Sequence, residues 1–205
     1  SCATSTPDQW IPSHASMVHG ELENFPMEIF SSAGVCLTSL QALKICYSNI
    51  LAGLHQNAVC VASEFPSPTL VSKFYDPEYE ITHENPDLDP YMAFEKDFLR
   101  FMLSDGAGAV LVQDHLEGES PLKIEWIEMT SYANELPTCM FMGAELGVAE
   151  QVKSWKEFTP EDIKNRGVML LKQDIRLLKK YIIKYWVDHI EAVLAKHDVK
   201  AEEID

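Results

Sequence analysis

Cys36 closes a run of small residues, Ser31-Ser32-Ala33-Gly34-Val35, and an apolar helical pattern starts directly after it. A thiol at such a strand-to-helix turn sits at the amino end of a helix, where unpaired N–H groups and the helix dipole favour negative charge. That setting favours the nucleophilic thiolate over the thiol. A cysteine also serves well as an inert buried side chain, so the residue type alone leaves both roles open.

The other stretch with chemical potential is Ser104-Asp105-Gly106-Ala107-Gly108-Ala109. Glycine-rich turns can cradle phosphate. This one has neither the G-x-G-x-x-G spacing nor the Lys-Ser/Thr of a P-loop, and strand-like Val110-Leu111-Val112 follows it instead of a helix. It reads as a packed turn where backbones approach closely, with Ser104, Asp105, Gly106 and Gly108 structural. His83 lies among the acids of a Pro-rich stretch and reads as part of a solvated loop. No CxxC and no Cys/His ligand cluster is present, so neither a metal nor another cofactor is expected.

These residues need elements to position them. Met27–Phe30 is the expected strand into the Cys36 turn. After it, Leu37, Leu40, Leu43, Cys46, Tyr47, Ile50, Leu51 and Leu54 recur at spacings of three and four, which predicts a helix ending near Gly53. Ala58–Ala62 is a continuous apolar run suited to a buried parallel strand, which completes a βαβ unit. Upstream, Cys2-Ala3-Thr4 reads as the tail of a strand, and Ser13 as the N-cap of a helix over about His14 to Leu22. Downstream, residues 65–90 carry Pro66, Pro68, Pro77, Pro86 and Pro90 with many acids and read as a surface loop or insertion. Order returns at Asp97–Asp114. Leu122–Ile127 alternates as a half-exposed strand, and 134–147 is irregular. The longest helical pattern runs from Leu170 and Leu171 to Leu194. It has Lys172, Arg176, Lys179, Lys180 and Lys184 on its polar face and His189 as a core histidine on the other.

At 205 residues the chain is long enough for a substantial core. Its formal net charge of −16 argues against nucleic acid or an anionic membrane as partner, since both select basic surfaces. No apolar run reaches the length of a membrane span. Five cysteines, Cys2, Cys36, Cys46, Cys60 and Cys139, without paired spacing, read as free thiols in a reducing compartment such as the cytoplasm.

Four segments, in order, resemble one family. Ala3-Thr4-Ser5-Thr6-Pro7-Asp8 through Ile11-Pro12-Ser13 is similar to a Thr-Ser-Thr-Pro-Asp…Pro-Ser stretch of the β-ketoacyl-acyl-carrier-protein synthase III family, condensing enzymes of the thiolase fold. Ser32-Ala33-Gly34-Val35-Cys36 resembles its nucleophile turn, and Ser104–Ala109 its Gly-Asp-Gly-Ala-Gly-Ala turn. Lys196–Asp205 resembles the stretch that precedes a strand and a Pro-His-Gln-Ala-Asn motif in that family. Two departures stand out. Cys36-Leu37-Thr38 replaces the usual Cys-Ser-Gly or Cys-Ala-Gly, and Ser104 replaces a glycine. They would suit a divergent branch building resorcinol or polyene lipids.

The resemblance implies an α/β, thiolase-like layered fold, with helices packed between and on mixed five-stranded sheets, here incomplete. Residues 1–115 would belong to the N-terminal half, with 65–96 as a loop or insertion, and 116–205 would begin the C-terminal half. It implies that Cys36 is acylated by an acyl-CoA or acyl-carrier-protein thioester, and that a malonyl thioester then condenses with it decarboxylatively, in fatty-acid, polyketide or resorcinol-type lipid synthesis. By position, Ile11 matches a residue that reaches across a homodimer interface to close the partner's acyl pocket. Trp10 and Leu37 would add to the substrate site. The family's assisting His and Asn match nothing here, so these 205 residues alone are not expected to turn over. Two other readings remain: a non-catalytic thiolase-fold partner subunit, and an α/β binding domain in which Cys36 is inert and buried.

Overall fold

A computed structural model describes residues 1–23, 25–76, 98–116, 118, 122–146 and 151–204. It divides into two compact units, Ser1–Pro68 with Ser104–Ile127, and Thr69–Leu103 with Glu128–Asp205.

The first unit is built on a four-stranded mixed sheet of order β2-β1-β3-β4. β1 (Cys2–Ala3) lies between β2 (Ser31–Ser32) and β3 (Asn57–Glu64) and is parallel to both, while β4 (Gly106–Gln113) runs antiparallel to β3. The expected βαβ unit is therefore present as β2-α2-β3, with β1 inserted between its two strands. The strand before the Cys36 turn is Ser31–Ser32, not Met27–Phe30. Of that apolar run, Phe30 contributes only its carbonyl, which accepts from Cys2 N.

Strand alternation places helices on both faces. Ala58, Cys60 and Ala62 of β3 face helix α2 (Thr38–Leu51), where Ala3, Ala42, Cys46, Cys60 and Val112 form the core. Ser63, on the opposite face, meets His14 at the start of helix α1 (His14–Glu21) at 3.0 Å. α1 begins where expected, with Ser13 Oγ accepting from Ser16 N. α2 ends in a Schellman motif: Leu54 N donates to Asn49 O, Gly53 N donates to Ile50 O, and Gly53 takes φ +69°. The buried stripe of α2 is Thr38, Ala42 and Cys46, flanked by Leu43 and Ile50; Leu40, Leu51 and Leu54 are exposed. The apolar spacing located the helix and took in Leu43, Cys46 and Ile50 of the packed face, but missed Thr38 and Ala42 and included Leu40, Leu51 and Leu54, which are exposed.

Two other expectations are corrected. Gly106 and Gly108 begin β4 instead of forming a packed turn. They pair with Glu64 and Ala62, and a Cβ on either would meet nothing within 4 Å. Leu122–Ile127 joins no ladder, since it finds no partner strand among the described residues; only Ile124 packs on the core. Within the Pro-rich stretch, Ser67–Thr69 and Ser72–Phe74 form 3₁₀ turns, while residues 77–97, with His83, lie outside the described residues.

In the second unit β5 (Met140–Phe141) pairs antiparallel with β8 (Lys172–Gln173), and β6 (Ala144–Leu146) with β7 (Val152–Ser154). Short helix α3 (Pro160–Asn165) follows a Thr159/Asp162 capping box. The segment expected to be irregular thus carries two short strands. The long helix α4 is Ile175–His197, capped by Asp174, whose Oδ1 accepts from Leu177 N. Leu170 and Leu171 match its period but precede the β8 pairing and the cap, which end helical structure there. Lys172 is correspondingly a strand residue; burial lowers its pKa. α4 has no buried residue, so His189 is not the core histidine expected. No helix among the described residues is long and apolar enough to cross a membrane.

The carboxyl end of α4 is fastened by Glu128, whose Oε1 accepts from Lys196 Nζ at 2.7 Å and His197 Nε2 at 2.8 Å. The Lys196 bond, then the His197 bond, hold the Glu128 carboxyl down at about 2, from an ordinary 4.5. The folded state therefore binds this proton more weakly than the unfolded chain. The stabilisation is complete above the ordinary carboxylate value and is lost as pH falls through about 2. Urea unfolding of wild type and Glu128→Gln across this acid range should show the wild-type advantage shrinking as pH falls below 4.5. An advantage that stays constant across it excludes the clamp.

Candidate active site

The sheet register brings the sequence-predicted residues to one end. β1 and β2 finish together, with Ala3 opposite Ser32. β3 runs two residues beyond the Ala3–Ala62 pair to Glu64, which pairs with Gly106, the first residue of β4. The segments carrying Cys36, Trp10 with Ile11, and Ser104 with Asp105 therefore all leave or enter the sheet at the carboxyl ends of its parallel strands. Open α/β sheets generally bind ligands at that edge.

Cys36 lies in a 3₁₀ turn, Val35–Leu37, that runs directly into α2. Two residues before it take unusual backbone angles: Gly34 has φ +138° and Val35 has φ +36°. A β-branched residue at positive φ costs on the order of 1–2 kcal/mol. Thr38 offsets this. It is 2% exposed, and its Oγ1 donates to Val35 O at 2.7 Å. Thr38 is thus the buttress of the turn. Cys36 itself is exposed, not buried as the inert-thiol reading had it. Cys2 and Cys60 are buried, and desolvation pushes both thiols up. Leu37, beside Cys36, is 40% exposed.

The segment after β1 is held at both of its ends by the last two residues of β3. Glu64 Oε1 accepts from Ser5 N and Oε2 from Thr6 Oγ1, each at 2.7 Å. Thr6 Oγ1 accepts in turn from Phe65 N at 2.7 Å, and Thr6 N donates to Thr4 Oγ1. At the other end lies the Ser63–His14 contact. Between these anchors Trp10 is 72% and Ile11 86% exposed, so neither is a core residue. Asp105 Oδ1 accepts from Ser67 N at 2.9 Å, which ties the start of β4 to the 3₁₀ turn after β3. Ser104, Gly106 and Gly108 are exposed.

Glu64 is the residue that sequence reasoning missed. Its signal was an acid ending the inward-facing series Ala58, Cys60, Ala62, where the period-two pattern calls for another small apolar residue. Among the described residues no group of three or more His, Cys, Asp or Glu gathers to hold a metal ion. A largely apolar cavity of about 480 Å³ opens at the other end of the sheet, lined by Ser1, Phe25, Phe30, His55 and Asn57, away from the Cys36 turn.

No protein-family model and no curated protein sequence matches the chain. Solved structures do. The tetronic acid condensing enzyme AbyA1 aligns with TM-score 0.60 and 18% identity, over 100% of this chain and 50% of its own. A variant of Xanthomonas campestris OleA, solved with lauric acid and lauroyl-CoA, aligns at 0.58 and 19%, over 100% and 51%. β-Ketoacyl-[acyl-carrier-protein] synthase III from Thermus thermophilus aligns at 0.55 and 18%, over 99% and 51%. The chain spans about half the length of each. At these identities the likeness establishes the fold, which is that of the thiolase-like condensing enzymes.

The buttress is testable. Thr38→Val should cost about 1 kcal/mol in urea unfolding, the worth of one buried hydrogen bond. It should also slow iodoacetamide labelling of Cys36, which in wild type precedes labelling of Cys2 and Cys60. Unchanged Cys36 labelling in a destabilised variant means the turn does not depend on Thr38.

Proposed function

We propose that this chain is part of a condensing acyltransferase of the ketoacyl synthase III type, with Cys36 as the acyl-accepting nucleophile. The observation that carries the reading is an exposed thiol on a strained strand-to-helix turn, at the carboxyl end of parallel strands, within a thiolase-like condensing-enzyme fold.

The Cys36 thiolate attacks the carbonyl carbon of an acyl-CoA or acyl-carrier-protein thioester. The tetrahedral oxyanion collapses, the carrier thiolate leaves and takes up a proton, and Cys36 holds the acyl group as a new thioester. The backbone N–H of Cys36 is one donor to that oxyanion. A malonyl-type thioester then loses carbon dioxide. Its carbanion attacks the acyl-Cys36 carbonyl, a carbon–carbon bond forms, and Cys36 departs as thiolate. The β-ketoacyl thioester product would feed fatty-acid, polyketide or resorcinol-type lipid synthesis. None of the chain's seven histidines is assigned to the decarboxylation.

Residues 1–115 form part of the N-terminal half of such an enzyme in this reading, and 116–205 begin the C-terminal half. The enzyme is a homodimer in which Ile11, with Trp10, closes the partner's acyl pocket; their exposure supports this. Leu37 lines the substrate site beside the thiol. The free cysteines fit a reducing compartment such as the cytoplasm.

Incubating the whole protein with an acyl-CoA or an acyl carrier protein thioester should add the mass of one acyl group to the Cys36 peptide. Cys36→Ala should carry none. Acylation at another residue, or no acylation, sinks the proposal, and the second outcome favours the non-catalytic partner subunit.

A further inference from the structure

The last two residues of β3 hold both ends of the segment that carries Trp10 and Ile11. Glu64 uses its two carboxylate oxygens on Ser5 N and Thr6 Oγ1, and Ser63 Oγ meets His14 Nε2. Hydrogen bonds to a carboxylate are about twice as strong as neutral ones. Glu64 is half-buried, so its bonds compete less with water than bonds at an open surface. Between these anchors the chain presents two large apolar side chains to solvent, 72% and 86% exposed. Apolar side chains held out at a strand-end edge, instead of folding back onto the core, need such fixed points, because burial favours their collapse.

We propose that Ser63 and Glu64 are positioning residues for acyl-substrate selection: they set where Trp10 and Ile11 stand, without touching the thiol chemistry. The substrate half of this inference rests on the function proposed above. Glu64 carries most of the hold, since it engages two successive residues at 2.7 Å each, and the hydroxyl it fixes also accepts from Phe65 N. The Cys36 turn is held separately by Thr38. Weakening Glu64 therefore loosens the discriminating wall and leaves the nucleophile in place.

Three readouts on the whole protein test this. In Glu64→Ala, amide hydrogen exchange across residues 4–13 should rise about tenfold or more, while the α2 amides stay as in wild type. KM for a long-chain acyl-CoA in Cys36 acylation should rise about tenfold and the long-to-short-chain preference should flatten, with kcat within about twofold. Iodoacetamide labelling of Cys36 should not change. Glu64→Gln keeps one acceptor for Ser5 N and should fall between Ala and wild type. It carries the same readouts, together with Ser63→Ala, where Glu64→Ala does not fold. Unchanged exchange in 4–13 overturns the anchoring. A fall in kcat with KM and chain-length preference intact overturns the selective role. Wild-type protein that is never acylated at Cys36 overturns the enzymatic reading instead, and is told apart because the exchange measurement needs no substrate.

Discussion

The short strand β1 carries the site, because its two residues set the register on both sides. Cys2 stands opposite Ser31 and Val61, and Ala3 opposite Ser32 and Ala62. Side chains alternate along a strand with a period of two, so a one-residue slip would turn every side chain of β1 to the other face. Ala3 is 1% exposed and packs with Ala42 and Cys60 in the core. A slip would replace this small apolar side chain with Cys2 or Thr4 in a close-packed contact. That contact therefore fixes where three segments leave the sheet. The Cys36 turn, the Trp10–Ile11 segment and Glu64 share one edge because β1 pairs in this register and no other.

Within that frame the Cys36 turn balances two terms of similar size. Val35 at φ +36° is unfavourable by on the order of 1–2 kcal/mol. The Thr38–Val35 hydrogen bond, buried on the Thr38 side, returns about 1 kcal/mol. Neither wins alone, so the turn also depends on α2 packing through Ala42 and Cys46, which locks its first turn. Gly34 is needed for its φ of +138°; an added Cβ would meet Thr38 Oγ1 at an ordinary 3.8 Å. Strain of this kind, held by packing next to an exposed thiol, is characteristic of functional sites.

How much of this was legible follows from the range of each interaction. The Cys36 turn, the Ser13 cap and the Gly53 stop were legible because caps and turns are local, and residue type specifies them directly. The βαβ unit was legible from the apolar run of β3. The insertion of β1 between its strands was not, because pairing across nearly sixty residues leaves no local trace. The helical face of α2 was read only in part for a similar reason. The pattern shows which residues are apolar, while small Ala42 at its centre is selected by how closely β3 approaches. At the start of α4, a matching period was overridden by Asp174 and the β5–β8 pairing, a contact more than thirty residues apart. Leu122–Ile127 shows the converse. Alternation proposes a strand, but a ladder also needs a partner backbone.

Selection of one thiol among the four of the first unit follows from the same geometry. Cys2, Cys46 and Cys60 are buried, and burial raises the thiols of Cys2 and Cys60 and keeps reagents out. Cys36 is exempt because it comes after the sheet has ended and before the helix is covered. Exposure would also make such a thiol indiscriminate, since nothing in the turn itself distinguishes one acyl group from another. Discrimination has to come from a separate wall. In the proposed homodimer that wall is the Trp10–Ile11 segment contributed across the interface, whose position depends on Ser63 and Glu64 and not on Thr38. On the proposed function, reactivity and selectivity rest on different hydrogen bonds, that of Thr38 at the start of α2 and those of Ser63 and Glu64 at the end of β3. On the proposed function, substitutions in the Trp10–Ile11 segment would change which acyl group is accepted while leaving Cys36 in place.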